Sequence, residues 1–472
     1  MTRPEASGGP GSGIRRWHAE LAWLPGQRVH AGVLIEASGQ HFTAVTPGIA
    51  PGDCPRGTVR LPGFTLPGLA NAHSHAFHRA LRGAAQAGKG TFWTWRERMY
   101  QVAGRLQPDS YLALARAVYA EMALAGITCA GEFHYLHHDA GGARYRDPNQ
   151  MGLALIEAAA QAGLRITLLD TCYLRGGLEP DGSPIGLSGA QQRFSDGDGA
   201  RWAERAGELG ADEHGMLGAH ARAGVAIHSV RAVPPDQMQP VVAWSHAYGA
   251  PLHAHLSEQP AENMACLAAY GVTPARLLDQ AGALGPRSTV VHATHLTGDD
   301  IGLLGGSRTV ACFCPTTEAD LADGIGPARA LADAGCPLSL GSDSHAVVDL
   351  LAEARLVEMG ERLASGRRGS FRAAELVTAA TVAGHACLGW PEAGEIAPGA
   401  LADLVTVALD TPRLAGAQAG TALESVIFAG SAADVRNVVI GGRDVVAGGR
   451  HLLVDDVPAA LDAAITPLLS PA

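Results

Sequence analysis

The stretch LPGLANAHSH at residues 66–75 carries the first of eight candidate strands, each a short apolar run. From about residue 67 onward, such runs alternate with longer stretches whose apolar spacing suits helices. This alternation is typical of βα units wound around a parallel sheet. The candidate strands lie at residues 68–73, 126–133, 165–173, 225–231, 251–258, 288–296, 309–315 and 337–343. The sequence therefore predicts an α/β fold, a (β/α)₈ TIM-like barrel.

Both flanks of the barrel differ from it in pattern. Residues 17–45 and 403–449 hold short strand-like runs separated by Gly and Pro, which predicts one small β-sandwich-like domain made from both chain ends. Residues 1–14 are small, polar and rich in Gly, so we expect a flexible tail. The predicted division is the tail, a composite β-domain of residues 15–66 and 393–472, and a barrel of residues 67–392. Helical spacing within the barrel is clearest at residues 109–125, 151–162, 234–248, 263–281 and 349–364.

The amino-acid composition disfavours several classes of function. The 472 residues are 47% apolar and carry a formal net charge of −11, which disfavours binding to nucleic acid or to an anionic membrane surface. No segment has the apolar length of a membrane span or a secretory signal, so we expect a cytoplasmic protein. The eight cysteines are dispersed, and we interpret them, Cys312 and Cys314 included, as reduced packing residues.

Histidines stand where predicted strands end. His73 and His75 end the first strand, and strand alternation places both side chains on the same side. His255 ends the fifth strand and Asp343 ends the eighth. Because the carboxyl ends of barrel strands meet at one face, these four side chains are expected to converge there. Three imidazoles and a carboxylate are typical of a catalytic divalent metal that keeps water as a further ligand.

Two more side chains near these strand ends suit proton transfer. Glu258 follows His255 by three residues, and His292 ends the sixth strand. Hydrolysis at a metal needs one group that accepts a proton and one that delivers it to the leaving atom. We therefore predict Glu258, His292 and Asp343 as catalytic residues. For His292, a purely structural role as a hydrogen-bonded barrel histidine stays open on the sequence alone.

Several segments resemble the amidohydrolase superfamily: LPGLANAHSHAFHRALRG, HAHLSEQ, VVHATHL, GSDSH and GEIAPGALADLV. The resemblance covers nearly the whole chain. Within the superfamily, TFWTWRERMY (91–100), GEFHYLHH (131–138) and IHSVRAV (227–233) are similar to the formimidoylglutamate deiminases, enzymes of histidine degradation. This implies hydrolysis of N-formimino-L-glutamate, a small anionic substrate, to N-formyl-L-glutamate and ammonia by a homodimer.

The resemblance also implies a role for individual residues. Zinc would be held by His73, His75, His255 and Asp343, with Glu258 and His292 serving proton transfer. Contacts to the substrate would come from His78, Arg96, Tyr135, His228 and Arg231. An acidic protein needs fixed cations to hold a dianion, and the planar fork of Arg matches a carboxylate. Arg231 ends a predicted strand, whereas Arg96 is expected in an aromatic loop beyond strand one.

Two departures from relatives bear on the site. Better-known deiminases of this kind carry Gln where this chain has His78. Either an imidazole makes the contact to the formimino group there, or the substrate preference has shifted. Many two-metal relatives bridge their ions through a carboxylated lysine on strand four, but the one lysine of this chain is Lys89. We therefore predict one Zn²⁺ per subunit. Two other functions stay open: deamination of guanine or a related aminoheterocycle, and a non-catalytic scaffold of the same fold.

Overall fold

The computed structural model describes residues 13–469 except 85, 88–91, 213, 214 and 216. Of the expected N-terminal tail, residues 1–12 lie outside this range. The described residues form eighteen strands, in chain order: β1 Arg15–Leu24, β2 Arg28–Ser38, β3 His41–Thr46, β4 Val59–Pro67, β5 Leu69–Ser74, β6 Ile127–His134, β7 Arg165–Cys172, β8 Gly177–Leu178, β9 Pro184–Ile185, β10 Ala221–Ile227, β11 Leu252–Leu256, β12 Ser288–His292, β13 Val310–Phe313, β14 Leu338–Leu340, β15 Leu404–Val407, β16 Val435–Ile440, β17 Arg443–Ala447 and β18 Arg450–His451.

Eight of these strands form a parallel sheet in the order β14-β13-β12-β11-β10-β7-β6-β5. The sheet closes on itself through a parallel bridge between Ser74 and Asp343. There the Asp343 amide donates to the His73 carbonyl over 3.0 Å, and the His75 amide donates to the Asp343 carbonyl over 3.3 Å. The predicted barrel is confirmed, and its closing seam runs through three of the predicted metal ligands.

The barrel strands are buried because both of their faces are covered. Every residue of β6 and β7 is buried, as expected where helices cover one side and the barrel interior the other. The helices are α1 Phe92–Arg105, α2 Pro108–Leu124, α3 Gln150–Ala162, α4 Gly199–Gly210, α5 Gln239–Tyr248, α6 Pro260–Tyr270, α7 Pro274–Gln280, α8 Gly298–Ser307, α9 Pro315–Asp320, α10 Ala328–Asp333, α11 Leu350–Ser365, α12 Ala373–Thr378, α13 Gly384–Cys387, α14 Ala422–Ala429 and α15 Val457–Leu469.

One helix prediction was wrong. The single helix expected at residues 263–281 is two helices, α6 and α7. Gly271 ends α6 in the left-handed conformation with φ of 72°, and Thr273 caps α7 by accepting from the Arg276 amide. Glycine adopts the left-handed conformation readily because it has no side chain, whereas other residues are strained there. The helix therefore ends at Gly271 and the chain turns.

The second sheet uses both chain ends, as predicted. Its order is β18-β17-β16-β15-β4-β1-β2-β3, with β4 pairing parallel to β1 and antiparallel to β15. Its strands bury a separate apolar cluster that includes Trp17, Ile35, Phe42 and Val439. Because β4 runs on directly into β5, this sheet is joined to the first barrel strand.

A buried ion pair links the barrel to the second sheet. The Arg165 guanidinium, at the start of β7, donates to both carboxylate oxygens of Asp403 over 2.7 and 3.2 Å. Asp403 also accepts from the Gly441 amide over 2.6 Å. Both ionised side chains are almost fully shielded from water, so each depends on its partner.

We expect Arg165→Met to lower the free energy of unfolding by about 3–5 kcal/mol, because Asp403 would stay buried without a counter-ion. Urea denaturation followed by circular dichroism measures the loss. Arg276→Met is the matched control, since the Arg276–Asp279 pair is about 40% exposed and should change stability by less than about 1 kcal/mol. Equal losses in the two variants would contradict the assigned role of the Arg165–Asp403 pair.

All eight cysteines are free, and all but Cys54 are buried. Among the described residues, no helix combines the length and apolar character needed to cross a bilayer.

Candidate metal centre and active site

Four predicted ligands meet at the carboxyl end of the barrel. His73 Nε2 lies 3.1 Å from His255 Nε2 and 3.3 Å from Asp343 Oδ1, and His75 Nε2 lies 3.4 Å from the same carboxylate oxygen. One ligand atom from each of the four residues falls within 4.8 Å of the others, and all four residues are buried. The sequence therefore predicted a real cluster, contributed by β5, β11 and the residues after β14.

Backbone carbonyls set the orientation of two of these imidazoles. His75 Nδ1 lies 2.9 Å from the Phe133 carbonyl, and His255 Nδ1 lies 2.9 Å from the His228 carbonyl. A carbonyl only accepts, so each Nδ1 must carry the proton and each Nε2 keeps its lone pair. Such outer contacts are the usual way in which a protein fixes the tautomer of a metal-binding histidine.

Burial keeps the three imidazoles neutral. It lowers the pKa of His255 to about 3, helped by nearby His292, and it lowers the pKa of His73 and His75 well below the usual value. The neutral form is the one that binds a metal. His73 Nδ1 has no hydrogen-bond partner among the described residues. Three neutral nitrogens facing one carboxylate oxygen fit a divalent cation with nitrogen and oxygen ligands.

A second group of possible ligands shares Asp343 and adds His292 and Cys314. Burial raises the pKa of the Cys314 thiol well above its usual value. A thiol binds metals as the thiolate, so this second group is the poorer match for a cation.

The backbone is strained at the strand ends that carry these groups. Positive φ angles occur at Ser257, His292, Ala293, Asp343 and His345, at 50°, 71°, 50°, 39° and 57°. Side-chain-bearing residues rarely adopt this conformation, and it is concentrated at functional sites. The strain turns the chain sharply where β11, β12 and β14 end, so that consecutive residues point into the barrel mouth.

The two predicted proton carriers stand beside the cluster. His292 Nε2 lies 3.9 Å from Glu258 Oε1 and 3.8 Å from Asp343 Oδ2, while its Nδ1 faces Glu318 Oε1 at 3.4 Å. Burial alone would lower the pKa of His292, but the hydrogen bond to Glu318 and the charges of Glu258 and Asp343 raise it to about 10. His292 therefore faces the site between acidic groups and is not an isolated packing residue of the barrel.

A cavity of about 570 Å³ adjoins the cluster. Its walls carry all five side chains predicted to contact substrate, together with Glu258, His292 and Asp343. The lining residues are His75, His78, Trp95, Arg96, Met99, Tyr100, Tyr135, Tyr173, Phe194, His228, Arg231, His255, Glu258, His292, Leu321 and Asp343. One small chamber thus combines three of the four candidate metal ligands with two arginines and a largely aromatic wall.

The two cavity arginines are anchored differently. Arg96 lies on helix α1, which corrects the predicted loop, and its Nη2 donates to the Gly176 carbonyl over 2.9 Å. Arg231 follows β10 and pairs with Glu258 over 3.2 Å and with the buried Glu262 over 3.3 Å. Helix α1 forms because residues 92–105 contain neither Gly before position 104 nor Pro, so nothing interrupts the helical run.

His78 occupies the short 3₁₀ segment Ala76–Leu81 directly after the His73–His75 pair. Its Nε2 lies 3.0 Å from the Tyr135 hydroxyl, while its Nδ1 has no partner among the described residues. Burial lowers the pKa of His78 to about 3, so the ring is neutral. His228 stacks edge-on to Tyr173, with ring centroids 4.6 Å apart.

The sequence did not predict several residues of the site. Glu318, on α9, contacts His292, and Glu262, on α6, pairs with Arg231. Each follows a strand-end residue by a few positions, which was a usable signal. Trp95, Tyr100, Tyr173 and Phe194 form the aromatic wall. Only Tyr173, directly after β7, stood at a strand end.

Residues 64–445 match the model of the amidohydrolase family, and the chain belongs to this family. The formimidoylglutamate deiminase of Pseudomonas aeruginosa is 38% identical over 405 residues, which are 84% of this chain and 87% of that protein. The 8-oxoguanine deaminase of the same species is 31% identical over 362 residues, or 74% and 76% of the two chains. The protein is therefore an enzyme of the amidohydrolase type, related to hydrolytic deaminases.

Solved structures show the same fold. The crystal structure of an amidohydrolase from Brucella melitensis superposes with a TM-score of 0.87 at 32% identity, covering 97% of this chain and all of that one. An atrazine chlorohydrolase from Arthrobacter aurescens, solved in complex with zinc, gives a TM-score of 0.81 at 23% identity, covering 96% and 100% of the two chains.

Proposed function

We propose that the protein is a zinc-dependent deiminase that converts N-formimino-L-glutamate and water to N-formyl-L-glutamate and ammonia. The observation that carries the proposal is the presence of Arg96 and Arg231 in the same cavity as three of the four candidate metal ligands, His75, His255 and Asp343. A dicarboxylate needs such cations, whereas a flat neutral base does not. The 38% identity to a formimidoylglutamate deiminase supports the same substrate.

His73, His75, His255 and Asp343 would hold the zinc. When bound, the cation would acidify a water ligand and so supply a nucleophile at neutral pH. A single zinc per subunit is proposed because a bridging lysine is absent from the barrel strands. The homodimer implied by the resemblance and the cytoplasmic location expected from the sequence pattern stay predictions, which light scattering and cell fractionation would test.

The side chains of the site divide the proton transfers between them. Water adds to the formimino carbon as the C–O bond forms, and the C–N bond to the terminal nitrogen then breaks. Both protons of the water end on that nitrogen, which leaves as ammonia. Asp343 would accept a proton from the water and, together with His292 3.8 Å away, hold the nucleophile against the formimino carbon. Glu258 would deliver protons to the nitrogen.

The rest of the cavity would position the substrate. Arg96, Tyr135 and Arg231 would hold the glutamate carboxylates, with His228 near the reacting end. His78, with its unpartnered Nδ1 in a buried position, would take the contact that Gln makes in better-known deiminases. A neutral imidazole can donate or accept one hydrogen bond at that atom according to its tautomer.

The experiment that tests the function is an ammonia-release screen on purified protein of known metal content. N-formimino-L-glutamate should be hydrolysed in preference to guanine, 8-oxoguanine and cytosine. The aromatic wall and the relation to 8-oxoguanine deaminase make the aminoheterocycles the second candidate, and preference for one of them would replace the proposal. Protein that binds zinc but releases no ammonia from any of them would favour the non-catalytic scaffold.

Arg96→Met should lower kcat/KM for N-formimino-L-glutamate by about 10- to 100-fold, because a charge-assisted bond to a carboxylate contributes about 1.5–3 kcal/mol. Steady-state ammonia release measures the change. Arg98→Met, on the exposed face of the same helix, should leave kcat/KM within about twofold. An unchanged kcat/KM in Arg96→Met would remove Arg96 from substrate binding.

A further inference from the structure

Two tyrosine hydroxyls share one buried amide in the cavity wall. The Gln191 Nε2 atom donates to the Tyr100 hydroxyl over 2.9 Å and to the Tyr173 hydroxyl over 2.7 Å. The three residues come from separate elements: helix α1, the residue after β7, and the 3₁₀ segment Ala190–Phe194. Both tyrosines line the cavity, whereas Gln191 is 3% exposed and stands behind them.

The orientation of the Gln191 amide follows from its contacts. Its Oε1 accepts from the Ser188 amide over 2.8 Å, and a backbone N–H can only donate. Nε2 therefore faces the tyrosines, and both hydroxyl oxygens act as acceptors there. Tyr100 also accepts from Arg96 Nε over 2.5 Å. The lone pairs of the two phenols are thus engaged by donors of the protein.

One hydroxyl proton is left for a ligand. The Tyr100 and Tyr173 hydroxyls also hydrogen-bond to each other, which uses one of their two protons. Burial raises the pKa of Tyr100, so its proton is retained. The remaining O–H donor and the nearby Arg96 guanidinium make this part of the wall a donor surface. A carboxylate, which only accepts, matches such a surface, and an amide nitrogen does not.

We propose that Tyr100 and Tyr173, oriented by Gln191, form with Arg96 the subsite that selects one carboxylate of the substrate against its amide. This rests on the proposed function for the identity of the substrate. The tyrosine whose O–H stays free contacts the substrate in this scheme, and the other tyrosine and Gln191 are positioning residues that act through it. The selectivity arises because an amide NH₂ would face donors and leave buried hydrogen bonds unmade.

The test compares binding of the product with binding of its amides. Calorimetry with N-formyl-L-glutamate, N-formyl-L-glutamine and N-formyl-L-isoglutamine should show that the wild type disfavours one amide by at least about tenfold. Tyr100→Phe and Tyr173→Phe should each weaken binding of N-formyl-L-glutamate by about 10- to 100-fold and reduce the preference over that amide. Gln191→Met should also weaken binding of N-formyl-L-glutamate and reduce the preference, because the two tyrosine hydroxyls would lose the amide that orients them. Tyr248→Phe, at an exposed tyrosine, should match the wild type.

The possible results distinguish failure of the proposed carboxylate subsite from failure of the proposed deiminase function. Wild-type ammonia release with unchanged product affinity and amide preference in both tyrosine variants would overturn the subsite and leave the function standing. Binding of the dicarboxylate that depends on both hydroxyls, without ammonia release, would leave the subsite and remove the function. Failure of the wild type to bind N-formyl-L-glutamate would overturn both. Thermal unfolding of each variant confirms that Phe, which preserves the ring, keeps the fold.

Discussion

The Glu258→Gln variant should retain the metal but release ammonia about 10²- to 10⁴-fold more slowly than the wild type. This factor is the usual contribution of a positioned proton carrier. Glu258 lines the cavity, and its carboxylate faces His292 at 3.9 Å and Arg231 at 3.2 Å. Gln has nearly the same shape and can still accept a bond from Arg231, but it cannot carry a proton. The loss should therefore fall on kcat, with little change in KM.

Metal content by elemental analysis, together with kcat and KM for N-formimino-L-glutamate, checks this expectation. Glu208→Gln, an exposed carboxylate on α4, is the matched control and should behave as the wild type. Full activity in Glu258→Gln would remove Glu258 from the mechanism. A variant without metal would instead assign Glu258 to the support of the metal site.

The fold and the convergence of the three histidines with Asp343 were predictable from the sequence for one physical reason. In a parallel barrel the strands are buried on both faces, so they read as short apolar runs, and their carboxyl ends meet at one face. His73, His255 and Asp343 are far apart in the chain, yet each ends a strand. Because the carboxyl ends of barrel strands lie at one face, these three residues are predicted to lie together. The prediction does not require the course of the loops between the strands.

The parts that were missed depend on structure between the strands. Gln191 reaches Tyr100 and Tyr173 only because the segment after β7 folds back over the cavity, and that segment has no periodic pattern. Glu318 supports His292 from the short helix α9, which begins at Pro315, and the position of that helix beside His292 depends on how the chain turns after the strand. The aromatic composition around Arg96 suggested a loop, but local helix propensity prevailed.

Replacing a metal ligand should have the other large effect. His255→Ala removes one of three imidazoles whose Nε2 atoms surround Asp343 Oδ1. We expect a metal content well below one ion per chain. Ammonia release should fall by more than the roughly 10- to 100-fold that is lost when a residue that only orients a metal ligand is replaced. The deficit arises because the remaining ligands cannot complete the coordination that acidifies water.

Elemental analysis and ammonia release, measured with and without added Zn²⁺, test this expectation. His246→Ala, an exposed histidine on α5, is the control and should keep both metal and activity. Partial rescue of His255→Ala by excess Zn²⁺ would agree with a weakened site, because the other three ligands persist. A His255→Ala protein with a full complement of metal and normal turnover would show that the histidine cluster at the barrel mouth is not the metal centre, and the hydrolytic mechanism built on it would fall.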